Sequence, residues 1–215
     1  MRIAIAGGHG QIARHLTRLL AGRGDHVRAL VRNPDHVDDV TADGAEAVVV
    51  DLEADDVSTL AGAVGAVDAV VFAAGAGPGS GTLRKDTVDH QGAVKLAAAA
   101  AQVGVRRYVL VSSVGADPEA PGDEVFRVYL RAKGRAEVDV AAAGLDHTIV
   151  RPVGLTDDPP TGRVQVGADA VDGQIARADV AAVLAAVLDR PSTIGHTFVV
   201  AAGDVPVEDA VATLG

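Results

Sequence analysis

Tyr129 and Lys133 lie four residues apart in a segment, residues 124–143, whose apolar spacing predicts a helix. Residues four apart share one face of a helix, so the Lys133 ammonium can approach the Tyr129 phenol from the next turn. A cation at that point stabilises the phenolate that remains when the phenol gives up its proton, as a general acid must. The chain has two tyrosines and three lysines, so this pairing seldom arises by chance.

Ser113 stands at the end of the fifth predicted strand, residues 108–111. Ligands of open α/β sheets bind at the carboxyl edge of the strands, where a serine hydroxyl could donate to a substrate carbonyl oxygen. We therefore predict Ser113, Tyr129 and Lys133 as a catalytic set. Ser112 points to the opposite face by strand alternation and is assigned to packing. The alternative is a strand-end serine beside an ordinary surface helix pair.

A glycine-rich turn joins the first predicted strand to the first predicted helix. Gly7, Gly10 and Ala13 follow one another at intervals of three, so bare backbone can approach a pyrophosphate at the helix N-terminus. The alternative is a tight turn whose small residues serve packing, with His9 as a tolerated turn residue rather than a phosphate donor. The predicted cofactor contacts in this turn are Gly7, His9, Gly10, Gln11 and Ile12.

Arg32 follows the second predicted strand, where an NAD-specific fold usually places an acidic residue against the ribose 2′-hydroxyl. A guanidinium can grip a 2′-phosphate through its planar fork, which predicts NADP(H) over NAD(H). The alternative is a solvated surface arginine. Asp51 and Leu52, just past the third strand, stand where an adenine contact is expected, although Asp51 could equally be a helix cap.

Short apolar runs alternate with segments of helical spacing, which predicts parallel strands with helices on both faces of one sheet. We predict an α/β, Rossmann-type doubly wound sheet in three layers, forming a single domain over residues 1–215 in which 151–215 supply a minimal substrate region. The predicted strands are 3–6, 27–31, 45–50, 69–74, 108–111, 147–150 and a late 197–201. The predicted helices are 11–21, 56–63, 87–103, 124–143 and 179–188.

Composition excludes several classes of function. The net charge of −10 and pI near 5.0 disfavour a nucleic-acid partner, because an acidic chain repels the phosphate backbone. The chain has no cysteine, and its histidines lack ligand spacing, so no metal is predicted. The longest apolar run, 180–188, is too short to span a bilayer, and the N-terminus shows no secretory signal. A cytoplasmic protein without membrane partners is expected, as a monomer or a homodimer.

The order and spacing of these motifs resemble the atypical short-chain dehydrogenase/reductases, the small NAD(P)-binding proteins of epimerase/dehydratase-like or NmrA-like type, nearly end to end. The resemblance implies that Ala73, Ala74 and Gly75 line the cofactor groove, Gly75 on the adenosine side. It also implies that Lys133 holds the nicotinamide ribose, and that three residues lie against the nicotinamide. These three are Pro152, Val153 and Leu155. The motifs are Gly7-x-x-Gly10-x-x-Ala13, Arg32, Asp51-Leu52, Ala73-Ala74-Gly75, Val111-Ser112-Ser113, Tyr129-x-x-x-Lys133, Thr148-Ile149-Val150-Arg151-Pro152 and Ala176-Arg177-Ala178-Asp179-Val180-Ala181.

The resemblance implies an NADPH-dependent reductase of a small carbonyl-type substrate. The chain departs from the family at Asp89, where many members carry an asparagine that relays protons. Two other functions stay open. A dinucleotide-sensing regulator of NmrA-like type would bind NADP without turnover, but has no need to keep the three catalytic residues together. A sugar epimerase or dehydratase generally needs a longer substrate lobe than 151–215 supply.

Overall fold

A computed structural model describes residues 1–77, 79–168 and 173–214. The strands are β1 (Arg2–Ala6), β2 (His26–Val31), β3 (Ala45–Val49), β4 (Ala69–Phe72), β5 (Arg107–Val111), β6 (Asp146–Pro152), β7 (Gly154–Thr156), β8 (Arg163–Gly167), β9 (Gln174–Ala176), β10 (Thr197–Ala202) and β11 (Val205–Pro206). The helices are α1 (Gln11–Gly22), α2 (Val37–Ala42), α3 (Val57–Val64), α4 (Thr82–Arg84), α5 (Ala93–Gln102), α6 (Val125–Ala142), α7 (Arg177–Leu188) and α8 (Val207–Ala212). Along these described stretches, none of the helices combines the length and apolarity that a bilayer crossing requires.

Within the described residues, the central sheet has nine strands in the order β11-β8-β10-β6-β5-β4-β1-β2-β3. Strands β3, β2, β1, β4, β5 and β6 are parallel neighbours in the doubly wound order, and β10 extends them in parallel. The antiparallel strands β8 and β11 complete that edge, while β7 and β9 form a separate parallel pair. The predicted fold class is confirmed.

Alternate side chains of the strands enter two separate cores, because successive residues of a strand face opposite sides of the sheet. Ile3 and Ile5 of β1 pack with α1, α7 and α8 on one side. Ala4 and Ala6 pack with α3, α5 and α6 on the other. Since all four residues are fully buried, the strand has no polar face, as expected for a parallel sheet covered by helices on both sides.

The chain order reverses between β1 and β4, and this switch point opens a crevice at their carboxyl ends. Strand β4 ends at Phe72, two residues before the predicted end, because Ala73 and Ala74 turn along the rim of that crevice. The helix predicted over 87–103 begins earlier, as α4 leads into a π-helical turn, Lys85–Gly92, which continues directly into α5. This irregular turn carries Asp89 and Lys85 towards the crevice.

Candidate functional site

The turn after β1 is built on glycine. Gly7 has a φ of +75°, and a Cβ there would lie 2.5 Å from Ala74 Cα, so the turn packs directly on the chain that leaves β4. The Gly10 amide donates to the Gly7 carbonyl at 2.8 Å and closes the turn. The backbone that follows β1 therefore packs directly against the backbone that follows β4, with no room for a side chain at Gly7.

Helix α1 begins at this turn with its N-terminus free to take an anion. Gly10 precedes it with no side-chain cap, and its first turn carries no acidic residue. The first amides of a helix point outward and carry a partial positive charge, which attracts phosphate. The absence of a Cβ at Gly10 and the uncapped amides therefore fit a dinucleotide pyrophosphate.

A groove crosses the carboxyl ends of the strands as two joined cavities of about 600 and 500 Å³. Residues 73–77 line both. We name the first cavity the adenosine cavity after the ligand predicted for it; the predicted residues along it are Gly7, His9, Gly10, Arg32, Asp51, Leu52, Ala73, Ala74 and Gly75. We name the second the catalytic cavity after the predicted catalytic set; the predicted residues along it are Ile12, Ala73, Ala74, Gly75, Ser113, Tyr129, Lys133, Pro152, Val153 and Leu155. Gln11 lines neither cavity, since its side chain is exposed and only its backbone begins α1.

Arg32 reaches the adenosine cavity from the end of β2 and donates to Glu53 at 3.2 Å. Glu53 also accepts bonds from Arg84 at 2.8 Å and from the Thr87 hydroxyl at 2.6 Å. The Arg84 bond is the main reason that the pKa of Glu53 is held below its usual range, against the opposing effect of burial. Two guanidinium groups thus share the Glu53 carboxylate at this end of the groove, beside the further carboxylate of Asp51.

Asp51 and His9, two of the predicted cofactor contacts in the adenosine cavity, interact with neighbouring parts of the protein. Asp51 Oδ1 accepts the Glu53 amide at 2.8 Å, so this oxygen shapes the turn after β3. The His9 ring stacks on His36 with 3.6 Å between centroids, and its Nε2 lies 2.7 Å from Asp39 Oδ2. His9 is therefore held against the segment after β2.

Ser113, Tyr129 and Lys133 come together in the catalytic cavity from the end of β5 and one face of α6. Lys133 Nζ lies 5.9 Å from the centroid of the Tyr129 ring and donates to the Val111 carbonyl at 3.1 Å. The Ser113 hydroxyl donates to the Val114 carbonyl at 3.1 Å. The other tyrosine, Tyr108, is buried in the core and donates to the Ala93 carbonyl, and burial raises its pKa far above the usual range. Tyr129 is thus the phenol that faces the groove.

Asp89 forms a buried ion pair with Lys133. Its Oδ1 lies 3.3 Å from Lys133 Nζ, and both side chains are almost completely buried. The other oxygen, Oδ2, accepts the Ala76 amide at 3.1 Å and so fastens the chain after β4 to the π-helical turn. The Asp89 carboxylate therefore partly offsets the positive charge that Lys133 presents to Tyr129.

The comparison with known proteins agrees with this geometry. Residues 7–191 match the NAD(P)H-binding family, a span that includes the glycine turn, Arg32 and the catalytic cavity. The chain belongs to this family of atypical short-chain dehydrogenase/reductases. The members of this family are NAD(P)H-binding, oxidoreductase-like proteins. The resemblance predicted from the sequence motifs is confirmed.

Relatives of this short-chain dehydrogenase/reductase match along its whole length. It is 37% identical over 215 residues to the uncharacterized sugar epimerase YhfK of Bacillus subtilis, covering 100% of both chains. A Bacillus halodurans structure, provisionally named an NAD-dependent epimerase/dehydratase, is 38% identical with a TM-score of 0.91 over 99% of each chain. ChuY, an anaerobillin reductase from Escherichia coli O157:H7, has the same fold, with 23% identity and a TM-score of 0.80 over 95% of this chain and 98% of its own.

The site of this family member includes residues that the sequence motifs did not reveal. Lys85 and Phe126 flank Tyr129, with Lys85 Nζ 5.5 Å from the ring centroid and the Phe126 ring stacked at 6.0 Å. Arg84 and Glu53 join the adenosine cavity, and Arg177 lines the catalytic one. The rarity of lysine was a usable signal for Lys85, because only three occur in the chain.

Proposed function

We propose that the protein is an NADPH-dependent oxidoreductase that reduces a small carbonyl-type substrate. One observation carries the proposal: Ser113, Tyr129 and Lys133 line a cavity that continues directly into the dinucleotide groove. A protein that only senses a dinucleotide gains nothing from a phenol, an ammonium and a hydroxyl converging beside the nicotinamide end.

The bound nicotinamide supplies the hydride. Tyr129 donates the proton that the carbonyl oxygen needs once negative charge develops on it. Lys133 lies one helical turn away, stabilises the phenolate that results and holds the nicotinamide ribose. Ser113 donates to the same carbonyl oxygen after its hydroxyl turns from the Val114 carbonyl, its present acceptor. The apolar wall of Pro152, Val153 and Leu155 keeps the nicotinamide face dry.

Arg32 is the basis for preferring NADPH to NADH. Its guanidinium is half exposed at the groove and shares Glu53 with Arg84, so a 2′-phosphate can join the two cations. Arg32→Ala should weaken NADPH binding by about 10- to 100-fold, since a charge-assisted bond contributes about 1.5–3 kcal/mol, and should leave NADH binding nearly unchanged.

Fluorescence titration of NADPH and NADH into both proteins measures this preference. Arg106→Ala is the matched control, because Arg106 lies just before β5 and pairs with Asp146, the first residue of β6, at the amino ends of the strands, whereas the groove lies at their carboxyl ends. Equal affinities for the two cofactors in the wild type, or an equal loss of both in Arg32→Ala, would remove Arg32 from the cofactor site.

The reductase is tested by following NADPH absorbance with a panel of aldehydes, ketones and quinones. We expect steady, stoichiometric consumption of NADPH with at least one class of carbonyl compound. A sensor would bind NADPH without consuming it. A sugar epimerase, the activity for which the Bacillus subtilis relative is named, would return the hydride to its substrate and also show no net consumption of NADPH.

A further inference from the structure

Lys85 is a buried ammonium without a carboxylate partner among the described residues. Its side chain is 9% exposed, and Nζ donates to the Gly77 carbonyl at 2.9 Å. Of the other two lysines, Lys133 pairs with Asp89, and Lys95, which is less buried than Lys85, donates to the carbonyls of Glu53 and Asp55. A buried charge is costly unless an opposite charge meets it, and an ammonium has three donors to offer.

The cavity around Lys85 concentrates positive charge in an acidic protein. Among the residues that the structure describes, Lys85, Lys133 and Arg177 line it together with one carboxylate, that of Asp89. Asp89 is already paired with Lys133, and Arg177 donates to Asp157 at the outer side of the cavity. The net charge of the whole chain is −10, so this positively charged pocket is opposite in sign to the protein as a whole. Such a pocket attracts an anionic ligand.

The position of Lys85 places such an anion close to Tyr129, the proposed proton donor. Its Nζ lies 5.5 Å from the centroid of the Tyr129 ring, so an anion bound to it lies a few bonds from a carbonyl oxygen at the Tyr129 hydroxyl. The cavity of about 500 Å³ must also accommodate the nicotinamide, which leaves room for a compact anion. A carboxylate meets both conditions.

We propose that Lys85 is a substrate-recognition residue that binds a carboxylate, and that the substrates are oxo acids whose carboxylate lies a few bonds from the carbonyl. This inference rests on the proposed reductase function, because it names the class of carbonyl compound that the same cavity takes. Arg177, at the outer wall, is placed to receive the far end of a longer acid.

The test compares oxo acids with their own methyl esters, which lack the negative charge and carry one additional methyl group. Acetoacetate, 2-oxobutyrate and 4-oxopentanoate are assayed with NADPH against wild type, Lys85→Met, Lys85→Arg and Arg106→Met. We expect kcat/KM to favour the acid over the ester at least about tenfold, and Lys85→Met to lower this ratio by about 10- to 100-fold, mainly through KM for the acid. Lys85→Arg should restore most of the ratio, and Arg106→Met should not change it.

Calorimetric titration of the same acids into the NADP⁺ complex gives a readout that needs no turnover. Binding of the acids but not the esters, lost in Lys85→Met, supports the carboxylate site even if reduction fails. The inference is overturned if acids and esters bind and react alike, if Lys85→Met lowers both equally, or if its main effect is on NADPH affinity. Reduction of dihydroxyacetone phosphate but of no oxo acid would also overturn it. Reduction of neutral carbonyls alone would leave the reductase standing without the carboxylate site.

Discussion

Tyr129→Phe should lower kcat for carbonyl reduction by about 10² to 10⁴, the usual effect of removing a general acid, while the Kd for NADPH hardly changes. The reason is geometric: Phe keeps the ring between Lys85 and Phe126 and removes only the hydroxyl. Steady-state kinetics and cofactor titration on the same preparation separate the two quantities. A Tyr129→Phe variant as active as wild type would end the assignment of Tyr129 as proton donor.

Lys133→Met should damage both turnover and cofactor binding, because Lys133 serves the phenol and the ribose. It also leaves Asp89 as a buried carboxylate without its cation, which typically costs about 3–5 kcal/mol of stability. Lys133→Met combined with Asp89→Asn removes both charges and is the matched control for folding. We expect the double variant to recover much of the melting temperature but not the activity. Recovered activity would show that the charge of Lys133 is dispensable.

Gly10→Val should abolish detectable binding of both NADPH and NADH while the protein remains folded. The backbone of Gly10 has a φ of −63°, which valine adopts readily, and a Cβ would meet the Gly7 carbonyl at 3.1 Å, a tight but yielding contact. The branched side chain would then occupy the approach to the uncapped amides of α1.

Gly7→Ala is a useful contrast to Gly10→Val. At Gly7 the φ is +75° and a Cβ would lie 2.5 Å from Ala74 Cα, so this change should destabilise the fold itself. Thermal unfolding and cofactor titration of both variants separate the two glycine roles. A folded Gly10→Val protein that binds NADPH at wild-type affinity would refute the pyrophosphate assignment.

The strands β1 to β6 and the first βα turn were predictable because they depend on strong local signals. Residues 3–6 are apolar without interruption, and the glycine spacing places the turn at the switch point. The shorter elements gave weaker signals. Helix α2 has six residues, of which Val40 alone is buried. Strand β8 is partly exposed and the edge strand β11 is exposed. None of these three elements shows a full apolar period.

The same limit applies to the site. Tyr129 and Lys133 were visible because one helix holds both at a fixed spacing. Lys85 reaches Tyr129 only through the packing of the π-helical turn on α6, a bond pattern that hydropathy does not encode. The orientation of His9 depends on His36 and Asp39, which lie 27 and 30 positions further along the chain and belong to no motif that includes His9. Its stacking against the segment after β2 therefore could not be foreseen.

Transfer of deuterium from NADPH that carries deuterium at both hydrogens of nicotinamide C4 tests the central claim most directly, because it does not depend on which face delivers the hydride. The protein is incubated with labelled NADPH and the carbonyl panel, including the three oxo acids, and the products are analysed by mass spectrometry. The reductase predicts one deuterium at the former carbonyl carbon with wild type, and at most traces with Tyr129→Phe and Gly10→Val. A wild-type protein that binds NADPH yet delivers deuterium to no carbonyl compound would contradict the reductase and favour the dinucleotide sensor.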